Sequence, residues 1–385
     1  MSKGIKRSKL SKSPIAVARV ALAVGTSCLR LYAHRYSPKK YTQPQLFACL
    51  VLKTFFKTDY RGLSILLRDF DALRWHLGLS AVPHFTTFQK ASHRLLKAAR
   101  ARRLFKSTIQ RFLKRRRHLR RIAFDSTGLD CGHRSLYYVR RRNSATKQWQ
   151  TVAYSGYAKL EAAFDCPSHL MLAALVSRGP SPDVDRFVPL LDAVLVHVQP
   201  HAVLGDAGFD SEPNHCYARD QHGILSFIPP LAGRPTEKLP TGKYRRQMRQ
   251  RLNKRYGRYG QRWQAETGFS MIKRRLGSAV SGHTYWSQCR DLLLIAITYN
   301  ILLLCAAAGF LQSSCVPFLL AQGACSMNTL RSASLTSGST STASISPIWQ
   351  STWLAAPFFP LGLQRTLELL QLLGTRGCSK HAPCR

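Results

Sequence analysis

Acidic side chains are scarce in this sequence: 18 Asp and Glu stand against 58 Lys and Arg in 385 residues. Each carboxylate is therefore informative. Asp125 follows the apolar run Ile122-Ala123-Phe124 and precedes Ser126-Thr127-Gly128, while Asp206 follows His201-Ala202-Val203-Leu204-Gly205. Both read as strand ends, and carboxylates at the carboxyl ends of neighbouring strands open into one crevice of an α/β sheet. Either alone would ordinarily be a helix cap or an Asx turn; two at matching ends in so basic a chain point to function. The third acid is Glu266. Tyr259, Arg262, Glu266 and Lys273 lie at offsets of 0, 3, 7 and 14 residues, which at about 100° per residue fall within about 60° on one helix face. A solvated face with an i,i+4 ion pair would give the same spacing. It leaves unexplained why almost every neighbouring charge, from Arg245 to Arg275, is positive. A lone Glu there points to a cation that it holds. Among rival acids, Asp210 is expected to cap the following helix, and Asp183 and Asp185 to start the helix after the third strand.

The formal net charge of +40 requires a polyanionic partner, and nucleic acid fits because each neutralised phosphate releases a counterion. A basic coat or packaging protein would be as charged. With 45% hydrophobic residues, the chain can bury a core, which excludes wholesale disorder. The eleven cysteines show no CxxC pair and read as reduced thiols of a cytosolic protein; Cys131-Gly132-His133 lacks a second ligand pair.

The elements that must position these groups fall in four regions. Residues 1–40 are expected to be a basic flexible arm, with an amphipathic helix across the apolar stretch Pro14 to Ala33, which Arg19 and Arg30 interrupt. Residues 41–113 are expected to be a small helical DNA-binding region: Pro44 suits a first turn, a second run covers Tyr60 to Leu73, and Thr86 is an N-cap candidate for a third. A basic knot, Lys114 to Arg117 with Arg120 and Arg121, follows. Residues 114–311 then read strand, strand, strand, helix, strand, helix, strand, helix, which predicts a mixed α/β sheet with helices on both faces. Leu292 to Leu311 has the length and polarity of a membrane span, yet a buried core helix with Asn300 hydrogen-bonded inside it is the expected state. The tail, 312–385, is expected to be appended and poorly ordered.

The spacing Tyr-x2-Arg-x3-Glu-x6-Lys, met by Tyr259, Arg262, Glu266 and Lys273, resembles the signature of insertion-sequence DDE transposases. The contexts Ala-Phe-Asp-Ser-Thr-Gly-Leu around Asp125 and Leu-Gly-Asp-Ala-Gly-Phe-Asp around Asp206 resemble that family's first two acid motifs. The likeness covers roughly residues 40–310. From Asp206 to Glu266 is 266 − 206 = 60 residues, too few for a large β-rich insertion, so the chain is similar to the compact branch.

The resemblance implies an RNase H-like catalytic domain and two-metal phosphoryl transfer. Asp125, Asp206 and Glu266 would be the catalytic and metal-binding acids, holding two Mg2+ ions, for which Mn2+ would substitute. Tyr259, Arg262 and Lys273 would bind DNA. Implied partners are the double-stranded terminal inverted repeats and target DNA, with a homodimer or larger assembly at synapsis and no membrane, in the bacterial cytoplasm at the nucleoid. The alternatives are a catalytically inactive DNA-binding remnant and another RNase H-like DNA nuclease.

Overall fold

The computed structural model describes residues 10–131, 136–142, 148–230, 239–252 and 259–312, all within the unit Met1–Phe318. The expectation for the 312–385 tail therefore lies outside the described residues, apart from Gln312.

The first element is a helix, α1 (Pro14–Cys28). Ser13 caps it by accepting the Ala16 N–H at 3.2 Å, and Pro14 occupies its first turn, where a missing N–H costs nothing. Val17, Ala18, Ala21 and Val24 recur at helical spacing and are buried. The helix expected across Pro14 to Ala33 is thus α1, which ends at Cys28 and is packed: an apolar face at this period needs a partner, and α1 has one in α2 (Gln43–Phe56). Thr42 and Gln45 close a capping box at the start of α2. The helix expected over Tyr60 to Leu73 is two helices broken at Phe70, α3 (Tyr60–Asp69) and α4 (Asp71–Leu77). In α5 (Phe85–Leu95) the N-cap is His84 and not Thr86, whose hydroxyl lies 2.9 Å from the His84 ring instead. Helix α6 (Ala98–Leu113) completes the set and packs on α1.

Five of the strands form the main sheet path: β1 (His118–Cys131), β4 (Tyr157–Asp165), β5 (Met171–Gly179), β6 (Gln199–Leu204) and β7 (Leu225–Phe227). Their order is β5-β4-β1-β6-β7. The β1/β4 and β4/β5 pairs are antiparallel, and β1/β6 and β6/β7 are parallel. This is the RNase H-like α/β arrangement. A two-stranded ribbon, β2 (Leu136–Arg142) with β3 (Trp149–Ser155), was not expected, and a short β8 (Ala279–Val280) pairs with the end of β1.

One face of the sheet carries α7 (Phe187–Leu195), whose Phe187 meets Phe124 with ring centroids 5.4 Å apart. The other carries α10 (Trp263–Leu276) and α11 (Tyr285–Gln312). By length and composition α11 could cross a bilayer, but 67% of its apolar window is buried within the chain. Fully buried Asn300 donates to the Met171 carbonyl (2.9 Å) and the Thr108 hydroxyl (3.1 Å) and accepts from the Met171 N–H (3.1 Å). Its amide thus ties β5, α6 and α11 together, as expected for a core helix.

Candidate active site

Strand alternation fixes which way the first acid points. Ala123 pairs with Phe164, and Asp125 with Ala162, so these four share one face of the sheet. Phe164 meets Phe269 of α10 edge-on at 5.1 Å, so that face is the one under α10. The approach is close because Gly268 has no side chain: a Cβ there would sit 2.7 Å from the Phe164 ring. The expected strand end at Asp125 is corrected, since β1 continues to Cys131. Asp125 lies in mid-strand, where antiparallel β4 supports the chain on past the end of its parallel partner β6.

Asp206 is level with it. Ala123 pairs with Leu204, the last residue of β6, in parallel register, so Asp125 and Asp206 each lie two residues beyond a paired position, and the Asp125 carboxyl feels the Asp206 charge. The Gly205 N–H still donates to the Phe227 carbonyl at 3.0 Å, holding the backbone in the sheet to that point. Asp206 is extended, is exposed, and accepts the Ala207 N–H at 2.7 Å.

The Tyr259-to-Lys273 stripe is not one α-helix. Tyr259–Arg262 is a turn of 3-10 helix, and α10 begins at Trp263. The turn lets Tyr259 donate its hydroxyl to the Gly205 carbonyl at 3.3 Å, beside Asp206. Arg262 pairs with Glu266 at 2.5 Å. Lys273 is two turns further, about 10 Å along the helix, in its last turn.

Electrostatics join these groups. The Asp125 carboxyl is raised to about 6, chiefly by burial; the Ser126 N–H and Arg262 oppose this, and Asp206 and Glu266 add to it. The Tyr259 phenol is pushed up by burial and also senses Arg262, Asp206 and Glu266. Burial works against the Arg262 charge, yet Tyr259, Glu266 and Asp206 together hold its pKa above the usual arginine value. Asp125, Asp206, Glu266, Tyr259 and Arg262 thus share one electrostatic neighbourhood.

The donor chemistry fits a hard divalent cation, three carboxylates with no sulfur or imidazole. The arrangement is not a closed cage: among the described residues no group of three His, Cys, Asp or Glu is placed to hold a metal ion. Glu266 is given to Arg262 and is half-exposed, so it must leave that pair to join the two aspartates. His133 of the Cys131-Gly132-His133 motif lies outside the described residues.

The rival acids have other occupations. Asp183 stands, as expected, at the start of the helical segment, in the N-cap position of the 3-10 turn Val184–Arg186, but its side chain makes no cap bond: it accepts the Ser126 hydroxyl at 3.1 Å and pairs with buried Lys159 at 2.7 Å, on the face opposite Asp125. Asp185 lies in the 3-10 turn Val184–Arg186, close to the expected helix start. Asp210 is not a helix cap either. Its side chain is wholly buried and takes a forked pair from Arg245 at 2.6 and 3.1 Å. Glu212 then accepts the Tyr244 and Arg245 N–H groups at the start of α9 (Lys243–Leu252). Arg245 and Lys159 thus hold the segments after Asp206 and beside Asp125. Nothing in sequence spacing marked them, because their partners lie 245 − 210 = 35 and 183 − 159 = 24 residues away.

Residues 116–301 match the family described as a transposase DDE domain. Among solved structures, a chain of a cryo-EM structure of a piggyBac transposase synaptic complex with hairpin DNA aligns at a TM-score of 0.41 and 10% identity, covering 80% of this chain and 76% of that one. No curated protein matches.

Proposed function

We propose, from the match of residues 116–301 to the transposase DDE-domain family, that the protein cleaves the ends of an insertion sequence. It would then join the freed 3′ hydroxyls to target DNA. The observation that supports this most is the register of β1 and β6, which sets Asp125 level with Asp206 beneath the helix that carries Glu266. A divalent cation pair, Mg2+ or in its place Mn2+, would activate water and stabilise the leaving oxygen. The three carboxylates would hold it.

The chain's own groups do the rest. Arg262 exchanges Glu266 for a backbone phosphate, which frees the carboxylate for the site. Tyr259, anchored on the Gly205 carbonyl, packs beside the strand end, and Lys273 takes a phosphate two turns along α10. The partners are double-stranded inverted repeats and target DNA, bound by a dimer or larger assembly at synapsis, in the cytoplasm at the bacterial nucleoid and not in a membrane.

The test is Asp125→Asn against wild type on duplex carrying the element's ends, with Mg2+ or Mn2+. The change removes a carboxylate charge and keeps its shape, so strand cleavage is lost while duplex binding stays nearly intact. Equal cleavage by both proteins refutes the mechanism. A wild type that binds duplex and never cuts it, in either metal, identifies an inactive remnant.

A further inference from the structure

The basic knot after α6 has no part in the reaction above. Lys106, Gln110 and Lys114 follow one another at four-residue steps down the exposed side of α6 and its C-cap. Lys114 has φ 55 and ψ −107, a left-handed backbone that a β-carbon resists; the chain there turns back, and Arg116 donates its N–H to the Leu113 carbonyl at 3.0 Å. The Arg117 carbonyl accepts from the Gln199 N–H at 2.8 Å, so this stretch is already fixed to the sheet. His197, at the end of α7, closes the far wall. Together Lys106, Gln110, Lys114, Arg116, Arg117 and His197 line a pocket of about 290 Å3.

None of its lining residues is acidic. The helix dipole of α6 favours one cation at its C-terminus; it does not account for four around a concavity. Half-buried His197 is pushed down by burial and by Lys106, so the wall already feels uncompensated positive charge. An anion relieves that repulsion, and paired arginines present the fork that fits phosphate.

We infer that this pocket binds a backbone phosphate of duplex DNA, at a second contact remote from the cutting centre. Arg117 directly precedes β1 and Asp125 lies within it, eight residues further on, or about 26 Å at strand rise. That length corresponds to roughly eight base-pair steps of duplex. The inference rests on the reading that the chain acts on DNA, and it concerns binding only.

The experiment measures the salt dependence of duplex binding by the full chain. One variant carries Lys106→Ala, Arg116→Ala and Arg117→Ala. A control removes the same charge elsewhere, with Arg35→Ala, Lys39→Ala and Lys40→Ala, all exposed. Each phosphate contact contributes about 0.9 to the slope of log K against log salt, so the pocket variant, which loses one such contact, drops by about 1 and the control by less than about 0.3. Equal losses in both overturn the proposal, because they report bulk charge. Inorganic phosphate is titrated in parallel, with thermal unfolding as the readout. Phosphate that raises the unfolding temperature of wild type but not of the variant, with no slope difference on DNA, assigns the pocket to a free anion and overturns the DNA contact. If the triple variant does not fold, Lys106→Gln with Arg117→Gln carries the test, with an expected loss of about 1. A slope difference that persists in a wild type unable to cleave removes the catalytic reading and leaves this one standing.

Discussion

The ion pair behind the second acid gives the sharpest prediction. Arg245→Met keeps much of the side chain's length and removes its charge. In the native protein Asp210 has no side-chain exposure, and Arg245 is 21% exposed. Breaking a buried pair from one side costs about 3–5 kcal/mol, because the remaining charge is stranded. Partial access of water to Arg245 places the expected loss near the lower end, about 3 kcal/mol at pH 7.5. A pH signature accompanies it. The His215 Nε2 lies 3.9 Å from Asp210, and His215 is lowered to about 4, first by burial and then by Arg219; Arg245 lowers it further, against the pull of Asp210 and Glu212.

A histidine depressed in the folded state takes up protons more readily when unfolded. Its contribution is therefore complete above about pH 6.5 and is lost as pH falls toward 4, reaching roughly 2 kcal/mol lost at pH 5. Without Arg245, His215 accepts a proton more readily and pairs with Asp210, so the variant loses less on acidification. The gap between the two proteins should narrow from about 3 kcal/mol at pH 7.5 to about 1 kcal/mol at pH 5. Urea unfolding followed by circular dichroism at both pH values reads this directly. A gap below about 1 kcal/mol at pH 7.5, or one that widens at pH 5, refutes the reasoning.

Three further outcomes are expected. Asn300→Leu keeps the volume and strands the buried Met171 N–H and carbonyl, so it costs about 2–4 kcal/mol in urea unfolding; a loss within about 0.5 kcal/mol of zero would mean that α11 does not depend on this amide. Gly268→Ala drives a methyl against Phe164, whose ring is already held by Phe269 and Tyr299. It lifts α10 off the sheet at about 1–3 kcal/mol and lowers cleavage more than duplex binding; cleavage at the wild-type rate would show that helix height is unimportant. Arg262→Ala and Lys273→Ala each reduce the salt slope of duplex binding by about 1, and an unchanged slope removes that residue from the DNA contact.

Local chemistry was legible in the sequence wherever one element decides it. Period-two and period-3.6 patterns marked β4, β5, β6 and α7 because each buries one face or both against fixed neighbours. The scarcity of acids singled out Asp125, Asp206 and Glu266, and the charge-free run Leu292 to Leu311 announced a buried helix. Tertiary structure decided what depends on a partner far along the chain. Asp125 looked like a strand end because the apolar run stops there; β4, thirty-odd residues later, carries β1 on to Cys131. Helix α1 was legible as a helix but not as a packed one, because besides neighbouring α2 its partners include α6 and α11, far along the chain. The arrest of Asp210 by Arg245, and of Asp183 by Lys159, follows from a sheet that folds separate segments onto common faces, and a buried charge takes whichever counter-charge that packing delivers. The sequence by itself singled out the candidate residues; the register of β1 on β6 and the missing side chain of Gly268 decided that the segments carrying them are neighbours.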